Sequence, residues 1–143
     1  MVEELRNYFL NHVTLTNEFD NILADFLGEN ATTYTIEPVP TEEVLRPYSD
    51  GGSLNQFVFQ FGSREYYDDS VIQNISNLNF YENFKKEIEY NNRNNILPNI
   101  EGIQSIECLN NGTIQDVQSG TAKYIIQMRI TYLVENLSTN MSI

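Results

Sequence analysis

The chain has 143 residues, with 20 acidic against 8 basic and a formal net charge of −12. This length suits one domain that buries roughly 68–70% of the surface its unfolded form exposes, and the acid excess argues against a nucleic-acid grip, which relies on clustered Lys and Arg. A lone cysteine, Cys108, excludes an intrachain disulfide or a cysteine-based metal cluster and is compatible with a reducing cytoplasm.

Leu5, Tyr8, Phe9, His12 and Val13 recur at helical spacing, which predicts an amphipathic helix over residues 3–13 packed by one side onto a sheet. The opening MVEELRNYFLNH lacks the uninterrupted apolar core of a secretory signal, and no segment approaches the ~20 apolar residues of a membrane helix. Phe19, Ile22, Leu23, Phe26 and Leu27 fit a helical face by periodicity, but a strand near Ile22 to Phe26 is the competing and slightly favoured reading. Thr33 to Val39 reads as a β segment that ends at Pro38 and Pro40, because each proline locks its own φ and drives the residue before it out of the helical region.

Residues 40–55 read as a long excursion, with Thr41, Glu42 and Glu43 opening one helical turn and Asp50, Gly51 and Gly52 supplying a turn. A loop of that length in a small domain is characteristically a binding arm or disordered, so 38–55 is taken as an interaction loop. Gln56 to Tyr67 is a strand with Phe57, Phe59 and Phe61 on one face, in which Gly62 marks a bulge. Asp68, Asp69 and Ser70 start a helix, and Val71, Ile75, Leu78, Tyr81, Phe84 and Ile88 continue it until Asn91 to Asn95 fray its end before Pro98. The final third reads as an antiparallel meander of Ile103 to Leu109, Thr113 to Val117 and a central strand bearing Tyr124, Ile126, Met128, Ile130 and Tyr132 on its apolar face. Residues 137–143 read as a loose tail. The expected architecture is a single α+β domain, a mainly antiparallel sheet flanked by an N-terminal and a central helix.

Four pieces together carry a resemblance: EPVP at Glu37 to Pro40, PYSDGGS at Pro47 to Ser53, FVFQFGSREYY at Phe57 to Tyr67, and VIQNISNLNFYENFKKEIE at Val71 to Glu89. In these the chain resembles the tail-terminator family, often labelled minor capsid proteins, of tailed phages and phage-tail-like particles of Gram-positive bacteria. Asp25 to Gly28 matches that family's Asp-Phe-Leu-Gly, which a strand precedes. The likeness runs from about Asp25 to Leu133; residues through Asp20 match poorly and those after Glu135 not at all.

The resemblance implies a structural virion protein, not an enzyme, assembled in the host cytoplasm. It would form a six-fold ring at the head-proximal end of the tail, stop tube growth and present a joining surface. Its implied partners are further copies of itself, the tail tube protein, with the sheath as a further candidate, and head-completion or neck proteins. DNA would pass through without specific binding; no membrane and no cofactor is involved.

Candidate contact residues come from the residue types. Arg46, Tyr48 and Asp50 can anchor the 38–55 segment onto a neighbour, Arg and Tyr being favoured at interface hot spots. Arg64 and Glu65 stand where the aromatic strand leaves the core, either as a pair crossing between subunits or as a local ion pair. Asp68 and Asp69 after Glu65 offer oxygen ligands, but helix capping is the favoured reading. His12 and Cys108 read as structural, since neither has an evident base or acid partner, and Asp50-Gly51-Gly52-Ser53 lacks the lysine of a phosphate loop. The competing functions are a neck or head-completion protein, a small acidic enzyme, and an acidic mimic of DNA.

Overall fold

The computed structural model describes residues 1–13, 22–24, 33–66, 71–118 and 121–135. In chain order the elements are α1 (Val2–His12), β1 (Ile22–Ala24), β2 (Thr33–Pro38), β3 (Val44–Pro47), β4 (Ser53–Tyr66), α2 (Val71–Arg93), β5 (Ile103–Cys108), β6 (Thr113–Gln118) and β7 (Thr121–Val134). They build the α+β domain expected: one sheet ordered β1-β2-β4-β7-β5, with β3 beside β4 and β6 beside β7, and both helices as its flanking layer. Six strands are antiparallel, and the short β1 adds to β2 in parallel. At residues 22–24 the strand reading is therefore the right one. The Asp25 to Gly28 match, the helix start at Asp68 to Ser70 and the 137–143 tail lie outside the described residues.

The frame is a ribbon of two fourteen-residue strands, β4 and β7, paired without interruption from Ser53 opposite Val134 to Tyr66 opposite Thr121. Each has a broken strand on its other side. β2 and β3 both run antiparallel to β4, one opposite Phe59 to Arg64 and the other opposite Ser53 to Asn55. Likewise, β5 and β6 run antiparallel to β7, opposite Met128 to Tyr132 and Thr121 to Ile125.

Three expectations are corrected by this arrangement. The final third is not a meander of three neighbours: Asn110 to Gly112 do not reverse the chain, so β5 and β6 lie end to end along one edge of β7. The step between them is held by backbone and side chain together, with Leu109 N donating to Gln127 O at 2.7 Å and Gln127 N donating to Asn110 Oδ1 at 2.9 Å. Gly112 sits where any Cβ would overlap the Tyr81 side chain, so the chain steps out to admit α2. Second, residues 40–55 are not an irregular loop and 41–43 form no helical turn. Val39 N to Val58 O (2.9 Å) and Gln56 N to Glu43 O (2.8 Å) tether both ends of a short excursion, after which β3 returns to the sheet. β4 accordingly starts at Ser53, before the expected Gln56. Third, Gly62 marks no bulge, since the β4–β7 register passes through it unbroken. Its lack of a side chain serves close approach: a Cβ there would meet Thr35 Oγ1 at 3.1 Å and Tyr124 O at 3.3 Å.

The core lies on the helix side of the ribbon. Phe59 and Phe61 of β4 and Tyr124, Ile126, Met128 and Ile130 of β7 are buried against Leu5, Tyr8 and Phe9 of α1 and Tyr81, Phe84 and Ile88 of α2. Phe61 is the hub, with ring centroids 4.8 Å from Phe84, 4.7 Å from Phe9 and 5.4 Å from Tyr34. Such aromatic pairs contribute about 0.5–1.5 kcal/mol each beyond their area burial.

The asparagines after Ile88 do not fray α2 as their type suggests. Buried Asn91 donates through Nδ2 to Tyr8 Oη and to His12 O, both at 3.0 Å, and Tyr8 Oη donates to Ile96 O at 2.9 Å. Asn92 Oδ1 accepts from Ile106 N at 3.0 Å and so caps part of the β5 edge. The helix ends at Arg93, and Asn95 takes the left-handed conformation (φ 60°). No described helix lies on the sheet's opposite face, which carries paired charges: Lys123 bonds Glu37 at 3.1 Å and Arg129 bonds Glu107.

Phe84→Ala, at the centre of this packing, is expected to lower the unfolding free energy by about 3–5 kcal/mol. Leu45→Ala on exposed β3 should change it by no more than about 0.5 kcal/mol. Urea denaturation of both variants checks the contrast, and equal losses would show that β3 belongs to the stabilising core.

Candidate interaction surface

The β3–β4 hairpin is short because its turn is over-determined. Tyr48 N donates to Gly52 O at 2.8 Å, Gly51 N to Tyr48 O at 3.0 Å, and Gly52 N to Asp50 Oδ1 at 2.9 Å. Gly51 takes φ 88°, a region that glycine enters without steric cost. Asp50 thus acts within its own turn. Arg46 and Tyr48 project beside it: every residue of β3 is exposed, Tyr48 is 40% exposed, and Arg46 makes no ion pair with any described residue.

The hairpin extends the ribbon beyond the helices, and apolar side chains gather at that end. Val44 and Leu45 of β3 and Leu133 and Val134 of β7 are all exposed. Cross-strand register lines up Val44 with Asn55 and Tyr132, Arg46 with Leu54 and Leu133, and Pro47 with Ser53 and Val134, so these residues share one end of the ribbon but are divided between its two faces. Exposed apolar side chains at the end of a strand pair offer area that a partner can bury.

Two clefts open at this end, and Met1 and Tyr132 line both. One, of about 460 Å³, lies between the 38–43 excursion and Phe57. The other, of about 470 Å³, lies between Ile100 to Gly102 and the end of β7. In the first, Tyr132 Oη donates to Glu43 Oε1 at 3.2 Å; burial, followed by the adjoining Glu43, raises the Tyr132 pKa. Asn55, only 6% exposed, accepts at Oδ1 from Ser53 Oγ at 2.6 Å. Of these groups, Glu43 and Tyr132 line the cleft itself, and the bond between them fixes one polar point in an otherwise largely apolar wall.

The other proposed pair lies far away. Arg64 and Glu65 occupy β4 opposite Lys123 and Ala122, ten residues beyond Leu54, which at strand rise is about 33 Å from the hairpin end. The structure brings Arg46, Tyr48 and Asp50 together and leaves Arg64 and Glu65 at the other end of the ribbon. Sequence reasoning missed Glu43, Phe57, Tyr132, Leu133 and Val134. The alternation of β7 assigned Tyr132 to the core face correctly, but nothing local indicates that the helix layer stops short of it.

No family model matches this chain, and no curated protein matches it. No described helix is long and apolar enough to cross a membrane, and no group of three or more His, Cys, Asp or Glu among the described residues is placed to hold a metal ion. His12 is exposed at the end of α1, its ring centroid 5.9 Å from that of Tyr8, and not on the packed side that its spacing suggested. Cys108 is half-buried against the core, and burial pushes its thiol up to about 12; burial does the same to Tyr8, again to about 12.

Both shifts have one consequence for stability. The ordinary values are 9.0 for the thiol and 10.0 for the tyrosine, so above these the unfolded chain gives up protons that the folded chain keeps. Stability is expected to hold below pH about 9 and to fall as pH climbs towards about 12. Urea unfolding at stepped alkaline pH tests this, and a flat profile contradicts it. Iodoacetamide at mildly alkaline pH should label Cys108 slowly in the native protein and rapidly in urea.

Proposed function

We propose that this chain is a tail terminator: a ring-forming structural protein that caps the head-proximal end of a tail tube, ends its polymerisation and presents the joining surface for neck or head-completion proteins. The observation that supports the reading best is the placement of the resembling residues. EPVP forms the end of β2 and the start of the excursion, PYSDGGS forms the hairpin turn, residues Phe57 to Tyr66 of the third piece run to the end of β4, and the fourth, Val71 to Glu89, lies in α2. Three of the four pieces that carry the likeness thus build the exposed end of the ribbon and the long strand that supports it, and the fourth is the helix packed against that strand.

The mechanism is occupation of an interface, with no bond made or broken. The ring binds the last tube ring through one surface and offers another to which a further tube subunit cannot add. Val44, Leu45, Arg46 and Tyr48, on a hairpin clear of the helices, are the contacts assigned to the tube or to a neighbouring copy. Charge governs assembly: six copies at −12 each carry −72, so association in free solution works against self-repulsion and the tail templates the ring.

The free protein is expected to sediment as a monomer; a hexamer persisting on dilution would contradict templating. Electron microscopy of particles made with and without the gene tests the function itself. Its absence should give overlong or length-scattered tubes without heads, restored to uniform length by adding the purified protein. Tubes of normal length would move the role to the neck or out of the particle. Arg46→Ala with Tyr48→Ala should abolish that restoration while leaving the melting temperature within a few degrees, as exposed substitutions do.

A further inference from the structure

From the two clefts at the hairpin end we infer a docking site for a basic, partly apolar segment of a different protein. The inference deepens the proposed function and rests on the hairpin end being the surface that docks. The clefts are neighbours, with Met1 and Tyr132 lining both, and their walls are largely apolar: Pro38, Pro40 and Phe57 in one, Ile100, Leu133 and Val134 in the other. Three exposed carboxylates, Glu43, Glu101 and Glu135, stand around these walls, and neither lining includes a lysine or arginine. The one cation there, the Met1 ammonium, is bonded to Glu4 at 2.8 Å.

Apolar walls under a carboxylate rim match the build of Lys and Arg side chains, whose aliphatic stems cover apolar surface while their charged heads remain with polar groups. An arginine can in addition lie over the Tyr132 ring and meet Glu43, which the tyrosine hydroxyl already orients. A second copy of this chain is the poorer occupant. Each copy carries −12, and two of its basic residues, Lys123 and Arg129, are committed to ion pairs on the sheet's other face. The occupant is therefore a segment in which Lys or Arg alternates with apolar residues.

The test uses the purified full chain and a capped peptide of alternating arginine and leucine, followed by NMR titration. Amide shifts at Glu43, Phe57, Tyr132 and Leu133 should move, with weaker binding at roughly 0.5 M salt, where screening is strong. Glu43→Gln with Glu101→Gln and Glu135→Gln, all at exposed positions, should weaken binding by about tenfold, the product of three exposed pairings of about twofold each. A glutamate–leucine peptide should not bind. The inference is overturned if both peptides bind alike, if neither binds, if the triple variant is unaffected, or if the shifts fall elsewhere. It is also overturned if the same amides move with protein concentration alone, which would make the occupant a second copy. Because the assay contains no tails, its failure leaves the capping result untouched, and tubes that terminate normally without the protein leave the peptide result untouched.

Discussion

The uninterrupted pairing of β4 with β7 is the constraint on which the rest of the molecule depends. Fourteen residues of each strand meet in a single register, and a one-residue slip of one strand would put Phe59 and Phe61 on the face opposite to Ile126 and Met128. The helices cover only part of this ribbon. Where Tyr81, Phe84 and Ile88 meet Phe61 and its neighbours, the strands are core; beyond them the same ribbon becomes an exposed end. One pairing thus provides both the floor of the core and the support for the hairpin.

The broken strands beside the ribbon follow from the same geometry. A long twisted pair is hard to flank with equally long straight partners, and here each flank steps out once. Near Gly112 the step admits Tyr81. Between Val39 and Glu43 it forms one wall of a cleft, with Pro38 and Pro40 stiffening the chain and backbone bonds to Val58 and Gln56 holding both ends. The excursion is short and tethered, so the site it lines is preorganised, and less ordering entropy is lost when it is filled.

Charge divides the surface in a way that composition does not reveal. On the sheet face away from the helices, Glu37 and Glu107 are balanced by Lys123 and Arg129 across neighbouring strands. Around the clefts, Glu43, Glu101 and Glu135 have apolar neighbours and no lysine or arginine in the linings. The acidity is thus compensated on one face and directional at the hairpin end, where it bears on which partners can dock.

Periodicity by itself determined much of the fold: the α1 face of Leu5, Tyr8 and Phe9, the α2 face of Tyr81, Phe84 and Ile88, and the alternation of β4 and β7, because each pattern repeats with the geometry of its own element. Turn chemistry at Asp50, Gly51 and Gly52 was equally legible, since those side chains and φ preferences act locally. Tertiary structure alone decided that β3 rejoins the sheet, that β5 and β6 share one edge of β7, and that Asn91 and Asn92 secure α2 where asparagines suggested fraying. It also decided that Tyr132, an apolar-face residue by alternation, stands at a cleft with Glu43, Glu101 and Glu135. These outcomes depend on where the helix layer ends over the ribbon and on hydrogen bonds between residues tens of positions apart, neither of which a local pattern encodes.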